Sequence, residues 1–260
     1  MTKLVASAAE AVADIRPGAS LAVGGFGLSG IPWVLINALL EQGAAGLTVV
    51  SNNCGVDGAG LGLLLEARRI DRVIASYVGE NREFARQFLA GELSVELTPQ
   101  GTLAERLRAG GSGIGGFFTP AGVGTQVAEG GLPWRYAPDG TVAAASPPKE
   151  VREIGGRTMV LEEGIRTDVA LVRAAKADAE GNLRFHAAAR NFNVPVAMAG
   201  GVTIVEAEEI VPVGAIDPDD VHLPGIFVQR VIALTPEQAT TKGIEKRTIR
   251  HHAATIEGKS

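Results

Sequence analysis

The sequence predicts an α/β fold, a mostly parallel sheet flanked by helices and interrupted by a small hairpin-bearing excursion. Short aliphatic runs alternate with segments of helical period over the first 110 residues, and that alternation requires right-handed crossovers between parallel strands. Hydrophobic residues make up 46% of the 260 residues but aromatics only 5%. The core is therefore built from Ala, Val, Leu and Ile, as in sheets covered on both faces. The 34 glycines follow no fixed period; they gather in a few loops, where backbone turns tightly or approaches a neighbour closely.

In order, Ser7 to Ile15 reads as a helix, with Ser7 as cap and Glu10 three residues on. Ser20–Val23 is a buried strand. A helix begins at Pro32, carries an apolar stripe through Leu40 and ends at Gly43 and Gly46. Leu47–Val50 is the second strand, Leu61–Ala67 a helix, Arg72–Tyr77 the third strand, Asn81–Ala90 a helix and Ser94–Leu97 the fourth strand. A loop at Thr98–Gly101 leads to a helix from Thr102 that Gly110 and Gly111 close. Residues 130–156 are rich in Pro, Gly and charge, and Pro138-Asp139-Gly140 marks a hairpin turn. Met159–Leu161, Val169–Val172, Val202–Val205 and Phe227–Leu234 then resume as strands. No linker and no internal repeat divides the chain, so residues 1–260 are expected to form one domain.

Several function classes are excluded at this level. The net charge of −5 offers no basic face for nucleic acid; the one basic run, Lys242 to His252, reads as a solvated tail or a contact. No apolar run reaches membrane-spanning length, and Glu10 and Asp14 argue against a transit peptide. Cys54 is the only cysteine, so no internal disulfide forms. These features predict a soluble cytoplasmic protein. The four histidines show no metal-binding spacing, and no Gly-x-Ser-x-Gly elbow is present.

The segment VGGFGLSGIP holds a Gly-x-Gly-x-x-Gly between a strand and a helix, the setting of a dinucleotide loop. Such a fold places an acid at the end of the second strand to hold the ribose hydroxyls. Here that strand ends in Ser51-Asn52-Asn53, and the next acid, Asp57, lies beyond a glycine turn. Two amides suit a carbonyl or amide ligand better than a diol. A second cluster, GGSGIGGFFTPAGVGT, could form an anion nest or a tight helix-to-strand turn. Gln100 sits beyond a strand end, where ligands of parallel sheets bind. Cys54 reads as a small buried filler.

SLAVGGFGLSGIP resembles the first signature of the family I CoA-transferases: an apolar triplet, Gly-Gly-Phe, three residues, Gly, one residue, Pro. SNNCGVDGAGLGLLL, YVGENREFARQFLAGELSVELTPQGTLAERLRAGG, GFFTPAGVGT, LEEGIRTDVALVRAAKADAEGNLRF, ARNFNVP and DDVHLPGIFVQRVI continue the match from about residue 5 to 250. Pro17 departs from the usual Asp or Asn, at a turn where proline also serves, and Cys54 stands where Ala is common. Within the family the chain is most similar to the A (alpha) subunits that serve 3-oxoacids. The resemblance implies their fold, shared with NagB-like proteins, and CoA transfer from succinyl-CoA to a 3-oxoacid such as acetoacetate. The alternatives are the A chain of a 3-oxoadipate CoA-transferase, a non-catalytic CoA or sugar-phosphate sensor, and, third, a dehydrogenase.

The family's nucleophile is a glutamate in a Ser-Glu-Asn-Gly motif that this sequence lacks; Gly79-Glu80-Asn81 is only an echo. The resemblance therefore implies a CoA-transferase B (beta) subunit that supplies the glutamate, in a heterodimer or heterotetramer. It implies no cofactor and no metal, since the CoA thioester is itself a substrate. It places Gln100 beside the partner's glutamate as an auxiliary catalytic group. Asn52 and Asn53 would meet the acyl or pantetheine part of the ligand. Gly24, Gly25, Phe26, Gly27 and Gly30, with Gly113, Gly115, Phe118 and Thr119, would wall the site.

Overall fold

The computed structural model describes residues 2–79 and 81–242. Glu80 and all but the first residue of the basic run Lys242 to His252 lie outside them. Four strand–helix units open the chain. Helix α1 (Ala8–Val12) precedes β1 (Ser20–Val23), α2 (Trp33–Gln42), β2 (Leu47–Val50), α3 (Gly62–Glu66), β3 (Ile70–Ala75), α4 (Arg82–Leu89), β4 (Ser94–Leu97) and α5 (Gln100–Gly111). Several helix starts have a local cause. Ser7 Oγ accepts the Glu10 amide, Asn81 Oδ1 accepts that of Phe84, and Pro99 leads into α5 with its carbonyl accepting from Leu103. The last point moves the α5 boundary: the helix begins at Gln100, so Gln100 is its first residue and not part of a loop.

An antiparallel insertion follows, made of β5 (Gly116–Thr119), the short α6 (Gln126–Glu129), β6 (Pro133–Tyr136), β7 (Val142–Ala145), β8 (Val151–Ile154) and β9 (Arg157–Glu163). It is larger than the expected excursion, because Gly116–Thr119 and the strand around Met159 pair with each other and not with the main sheet. The hairpin turn is where the sequence places it: Asp139 Oδ1 accepts from Thr141 N at 3.0 Å and Thr141 Oγ1 at 2.6 Å. An alternating chain of charge ties the insertion to the sheet. Arg72 and Arg106 share Glu96 at 2.7 Å each, and Glu162, 2% exposed, lies between Arg106 and Lys149. The Arg72 guanidinium covers the Trp134 ring at 5.3 Å.

The chain then returns to the sheet as β10 (Thr167–Asp178), β11 (Leu183–Arg184), α7 (Asn193–Ala199), β12 (Gly200–Val211), β13 (Arg230–Ala233) and α8 (Pro236–Thr240). The order is β13-β12-β10-β1-β2-β3-β4, all parallel, with β11 pairing antiparallel to β10. Strand β13 is shorter than the expected Phe227–Leu234, because Gly225–Phe227 turns as a 3₁₀ helix.

Side-chain alternation divides the interior into two cores. Leu21, Val23, Val49, Val73 and Leu171 face Leu35, Leu39, Leu64 and Phe84 on one side. Ala22, Val50, Ile74, Ala170 and Val172 face Leu103, Leu107 and Val196 on the other. Both faces are covered, so the carboxyl edge is the end at which loops after successive strands converge.

Candidate functional site

Four connections meet at the carboxyl edge: residues 24–32 after β1, 51–61 after β2, 76–79 after β3, and Thr98-Pro99 after β4, which leads into Gln100 at the start of α5. The first two are built alike. Phe26 and Ser29 exchange backbone hydrogen bonds at 3.0 and 2.9 Å, and Val56 and Ala59 do so at 3.3 and 3.1 Å. Each loop carries three glycines of positive φ: Gly25, Gly27 and Gly30 in one, Gly55, Gly58 and Gly60 in the other.

The glycines of the first loop do not all serve the same end. A Cβ on Gly24 would collide with Asn193 Oδ1 and stand 2.8 Å from its Cγ; one on Gly30 would come within 2.7 Å of Ala189 O. A Cβ on Gly25 would strike Ile31. These three are filled from behind by the chain itself. Only Gly27, with nothing within 4 Å of a Cβ, and Phe26, 48% exposed, present an open surface. Asn193 is fully buried and cannot yield. Its Nδ2 donates to Gly30 O (3.0 Å) and Ala189 O (2.8 Å), and its Oδ1 accepts from Arg173 N at 3.2 Å. Gly24→Ala should therefore cost about 1–3 kcal/mol by overpacking, read as a lowered urea midpoint; an unchanged midpoint would show that this contact relaxes freely.

After β2, Asn52 and Asn53 are buried at 3% and 7% exposure. Asn52 Nδ2 donates to Ser76 Oγ at 2.9 Å, and the Asn52 carbonyl accepts from the Ser76 hydroxyl and amide, so this residue splices β2 to β3. Asn53 Nδ2 reaches Gly55 O at 3.5 Å. Asp57 accepts from the amides of Arg82 and Glu83 and so caps α4. Its carboxylate is spent on a helix terminus. Cys54 is fully buried, and burial pushes its thiol well above the ordinary range. It is a filler, as the sequence implies.

Gln100 stands exposed at the first turn of α5, and its side-chain amide has no partner among the described residues. It brings free donors to the carboxyl edge. The second glycine cluster lies elsewhere. Helix α5 runs back across the sheet, and Gly110 and Gly111 pack against Ile165 and Met198, just ahead of the starts of β10 and β12. Gly113 and Gly115 follow at that amino edge, exposed, so within this chain they share no wall with Gly24–Gly30. The turn is the tight helix-to-strand connection that the residues also allowed. Phe118 is half-buried on β5 with the Arg152 guanidinium 4.9 Å over its ring, and Thr119 Oγ1 accepts from Ala121 N.

Residues not anticipated from the sequence support the first loop. Asn191 Nδ2 donates to Ser29 O at 3.1 Å, beside the Asn193 contacts. Glu206, fully buried on β12, accepts from Leu35 N at 3.0 Å and so caps α2, the helix that the loop enters. Arg173, 6% exposed, donates to Glu206 at 3.1 Å, to Glu208 at 3.0 Å and to the carbonyl of Ala239 at 3.1 Å. Lys242 also pairs with Glu208, at 2.8 Å. Burial drives the Glu206 carboxyl up to about 7, outweighing the Leu35 amide and the Arg173 charge that pull it down. A cavity of about 230 Å³ lies between the two glycine loops and this cluster.

Comparison with known proteins places this architecture. Residues 5–234 match the coenzyme A transferase family. A Mycobacterium bovis protein, described as the A subunit of a probable succinyl-CoA:3-ketoacid coenzyme A transferase, is 64% identical over 250 residues, covering 96% of this chain and all of that protein. The human mitochondrial succinyl-CoA:3-ketoacid coenzyme A transferase 2 is 56% identical over 95% of this chain, which spans 47% of the human sequence. The acyl-CoA transferase YdiF of Escherichia coli O157:H7 shares the fold at a TM-score of 0.75 and 23% identity, over 91% of this chain and 48% of that one. No helix among the described residues is long and apolar enough to cross a membrane. The mostly parallel sheet, the paired glycine loops and these matches together show that the chain belongs to the coenzyme A transferase family.

Proposed function

We propose that this chain is the A subunit of an enzyme that moves CoA from succinyl-CoA to a 3-oxoacid, with the nucleophile supplied by a B subunit. The observation that carries this reading is the 64% identity, over 96% of this chain, with a relative of that description. The absence of a Ser-Glu-Asn-Gly motif from the sequence supports the division of labour. So does the human relative, of which this chain matches about half.

In this reaction a partner glutamate attacks the thioester carbonyl and expels the CoA thiolate, leaving a mixed anhydride. The thiolate then attacks the glutamyl carbonyl and releases succinate, giving a glutamyl-CoA thioester. The acceptor carboxylate repeats the sequence in reverse and leaves as its CoA ester. At each attack a carbonyl oxygen gains negative charge, and a fixed donor there lowers the barrier. Gln100, with an unengaged amide at the carboxyl edge, is suited to donate to that oxygen or to orient the glutamate. Phe26 and Gly27 offer the ligand a surface held from behind by Asn193. Neither ATP nor a metal is required, because one thioester is exchanged for another of similar energy.

The purified chain is expected to show no transferase activity alone and to gain it when mixed with a B subunit carrying Ser-Glu-Asn-Gly. Full activity of the isolated chain with succinyl-CoA and acetoacetate would overturn the assignment.

A further inference from the structure

Helices α5 and α7 cover the same face of the sheet, where Leu103 and Leu107 of one share a core with Val196 of the other. They run in the same direction. Their far ends meet where a Cβ on Gly111 would strike Met198, and α7 begins at Asn193, whose side chain stands behind Gly24 and Gly30. Both helices therefore start at the carboxyl edge. Gln100 occupies the first turn of one, and residues 185–192 lead into the other.

That leading segment is fixed against the first glycine loop. Asn191 Nδ2 donates to Ser29 O at 3.1 Å and Asn193 Nδ2 to Gly30 O at 3.0 Å. Ala187 takes a φ of 42°, a left-handed conformation that among the described non-glycine residues only Arg68 shares. Such a conformation persists where the surroundings enforce it. Arg190 ends the 3₁₀ turn Ala187–Arg190, exposed, and its guanidinium makes no hydrogen bond or ion pair among the described residues. The arginines nearby are engaged: Arg173 by Glu206 and Glu208, Arg184 by Asp220 at 3.2 Å.

The Arg190 charge is felt by His222, half-buried and stacked parallel to Phe185 with ring centroids 6.3 Å apart. His222 Nδ1 accepts from Phe185 N at 3.0 Å, which leaves the proton of the neutral ring on Nε2. Burial, joined by the charges of Arg190 and Arg184 against that of Asp220, holds the ring below the ordinary histidine range and so uncharged at neutral pH. A free guanidinium and an oriented N–H donor thus stand together at the edge that carries Gln100, with the Asp220 carboxylate already held by Arg184.

We propose that Arg190 and His222 bind an anionic group of the CoA ester whose thioester reacts beside Gln100, either a phosphate of CoA or the distal carboxylate of the succinyl chain. The parallel N–H groups of a guanidinium match two oxygens of either group. This rests on the proposed transferase function.

The test measures KM in both directions of the reaction, using the enzyme assembled with its B subunit and comparing the parent with Arg190→Gln. KM for the CoA ester or acid that carries the group should rise about ten- to a hundredfold, the loss of charge-assisted hydrogen bonds, with kcat moving less. His222→Asn keeps an acceptor for the Phe185 amide but lacks Nε2, and should raise the same KM about three- to tenfold. Added salt should weaken binding to the parent more than to Arg190→Gln. A rise for succinyl-CoA and acetoacetyl-CoA alike assigns the site to a CoA phosphate. A rise for succinyl-CoA and succinate, with acetoacetyl-CoA unaffected, assigns it to the distal carboxylate. KM values all within about twofold of the parent's overturn the site and leave the transferase reading intact. Failure of Arg190→Gln to assemble with the B subunit also overturns the site, by making Arg190 a contact between subunits. No transfer by the parent enzyme overturns the transferase reading and the site with it.

Discussion

Replacing Gln100 by alanine is expected to lower kcat of the assembled enzyme about ten- to a thousandfold, the effect of removing one donor from a developing oxyanion. The side chain owes its position to three neighbours. Strand β4 carries the chain to the carboxyl edge, the Thr98 amide is held by Ala75 O, and Pro99 starts the helix so that Gln100 occupies its first turn. An exposed amide with no partner among the described residues has nothing structural to lose, so stability should stay within about 0.5 kcal/mol of the parent. A group acting only in the transition state lowers kcat and kcat/KM alike and leaves KM in place. Steady-state kinetics with succinyl-CoA and acetoacetate separate these outcomes. Unchanged turnover, or a loss confined to KM, would remove Gln100 from the chemistry.

The second large effect concerns stability. Glu206→Ala should destabilise the chain by about 3–5 kcal/mol, because it strips one partner from a buried ion pair. The Leu35 amide loses its acceptor at the start of α2, and Arg173 keeps a buried charge with only Glu208 and the α8 carbonyls to hold it. Urea unfolding measures this directly, and a midpoint close to the parent's would overturn it. The same residue sets a pH dependence. Its carboxyl is raised from the ordinary 4.5 to about 7 in the folded chain. Between these values the folded chain retains a proton that the unfolded chain has released, so stability falls as pH rises from about 4.5 to about 7. Glu206→Gln removes the titrating group and should flatten the profile across that window; an unchanged slope would assign it to other groups.

The strands legible in the sequence are those with an unbroken apolar or alternating pattern. Ser20–Val23 and Leu47–Val50 are legible to the residue as short apolar runs, and Ser94–Leu97 by its alternation, each stopped by glycine or a turn. Strands β10 and β12 read as only four residues each in the sequence, Val169–Val172 and Val202–Val205, and run for twelve in the fold. Their second halves carry Arg173, Lys176, Glu206, Glu208 and Glu209, which interrupt any apolar pattern. In the sheet Arg173 stands in register with Glu206, and Lys176 with Glu209 at 2.9 Å, so the charges that hide the strands also pair across them.

The candidate site shows the same divide. A Gly-x-Gly-x-x-Gly between strand and helix is visible as spacing, but which glycine faces a ligand and which faces Asn193 depends on a segment far along the chain, some 163 residues beyond Gly30. Nothing local distinguishes Asn193 or Glu206 from any other polar residue. Their importance arises from long-range contacts: Asn193 behind Gly24 and Gly30, Glu206 at the start of α2. Within this chain the second glycine cluster stands apart from the first for a topological reason, since α5 carries it to the opposite edge of the sheet.

The burial of Cys54 has a consequence for an enzyme that handles activated acyl groups. A solvent-facing thiolate is a competent rival to any carboxylate nucleophile, able to intercept a thioester by exchange and trap the acyl group on the wrong atom. The chain's single thiol lies beneath the turn after β2, fully covered, with its proton held tightly. Side-acylation and thiol oxidation are closed off together, and a CoA ester bound at the carboxyl edge meets no thiol belonging to this chain.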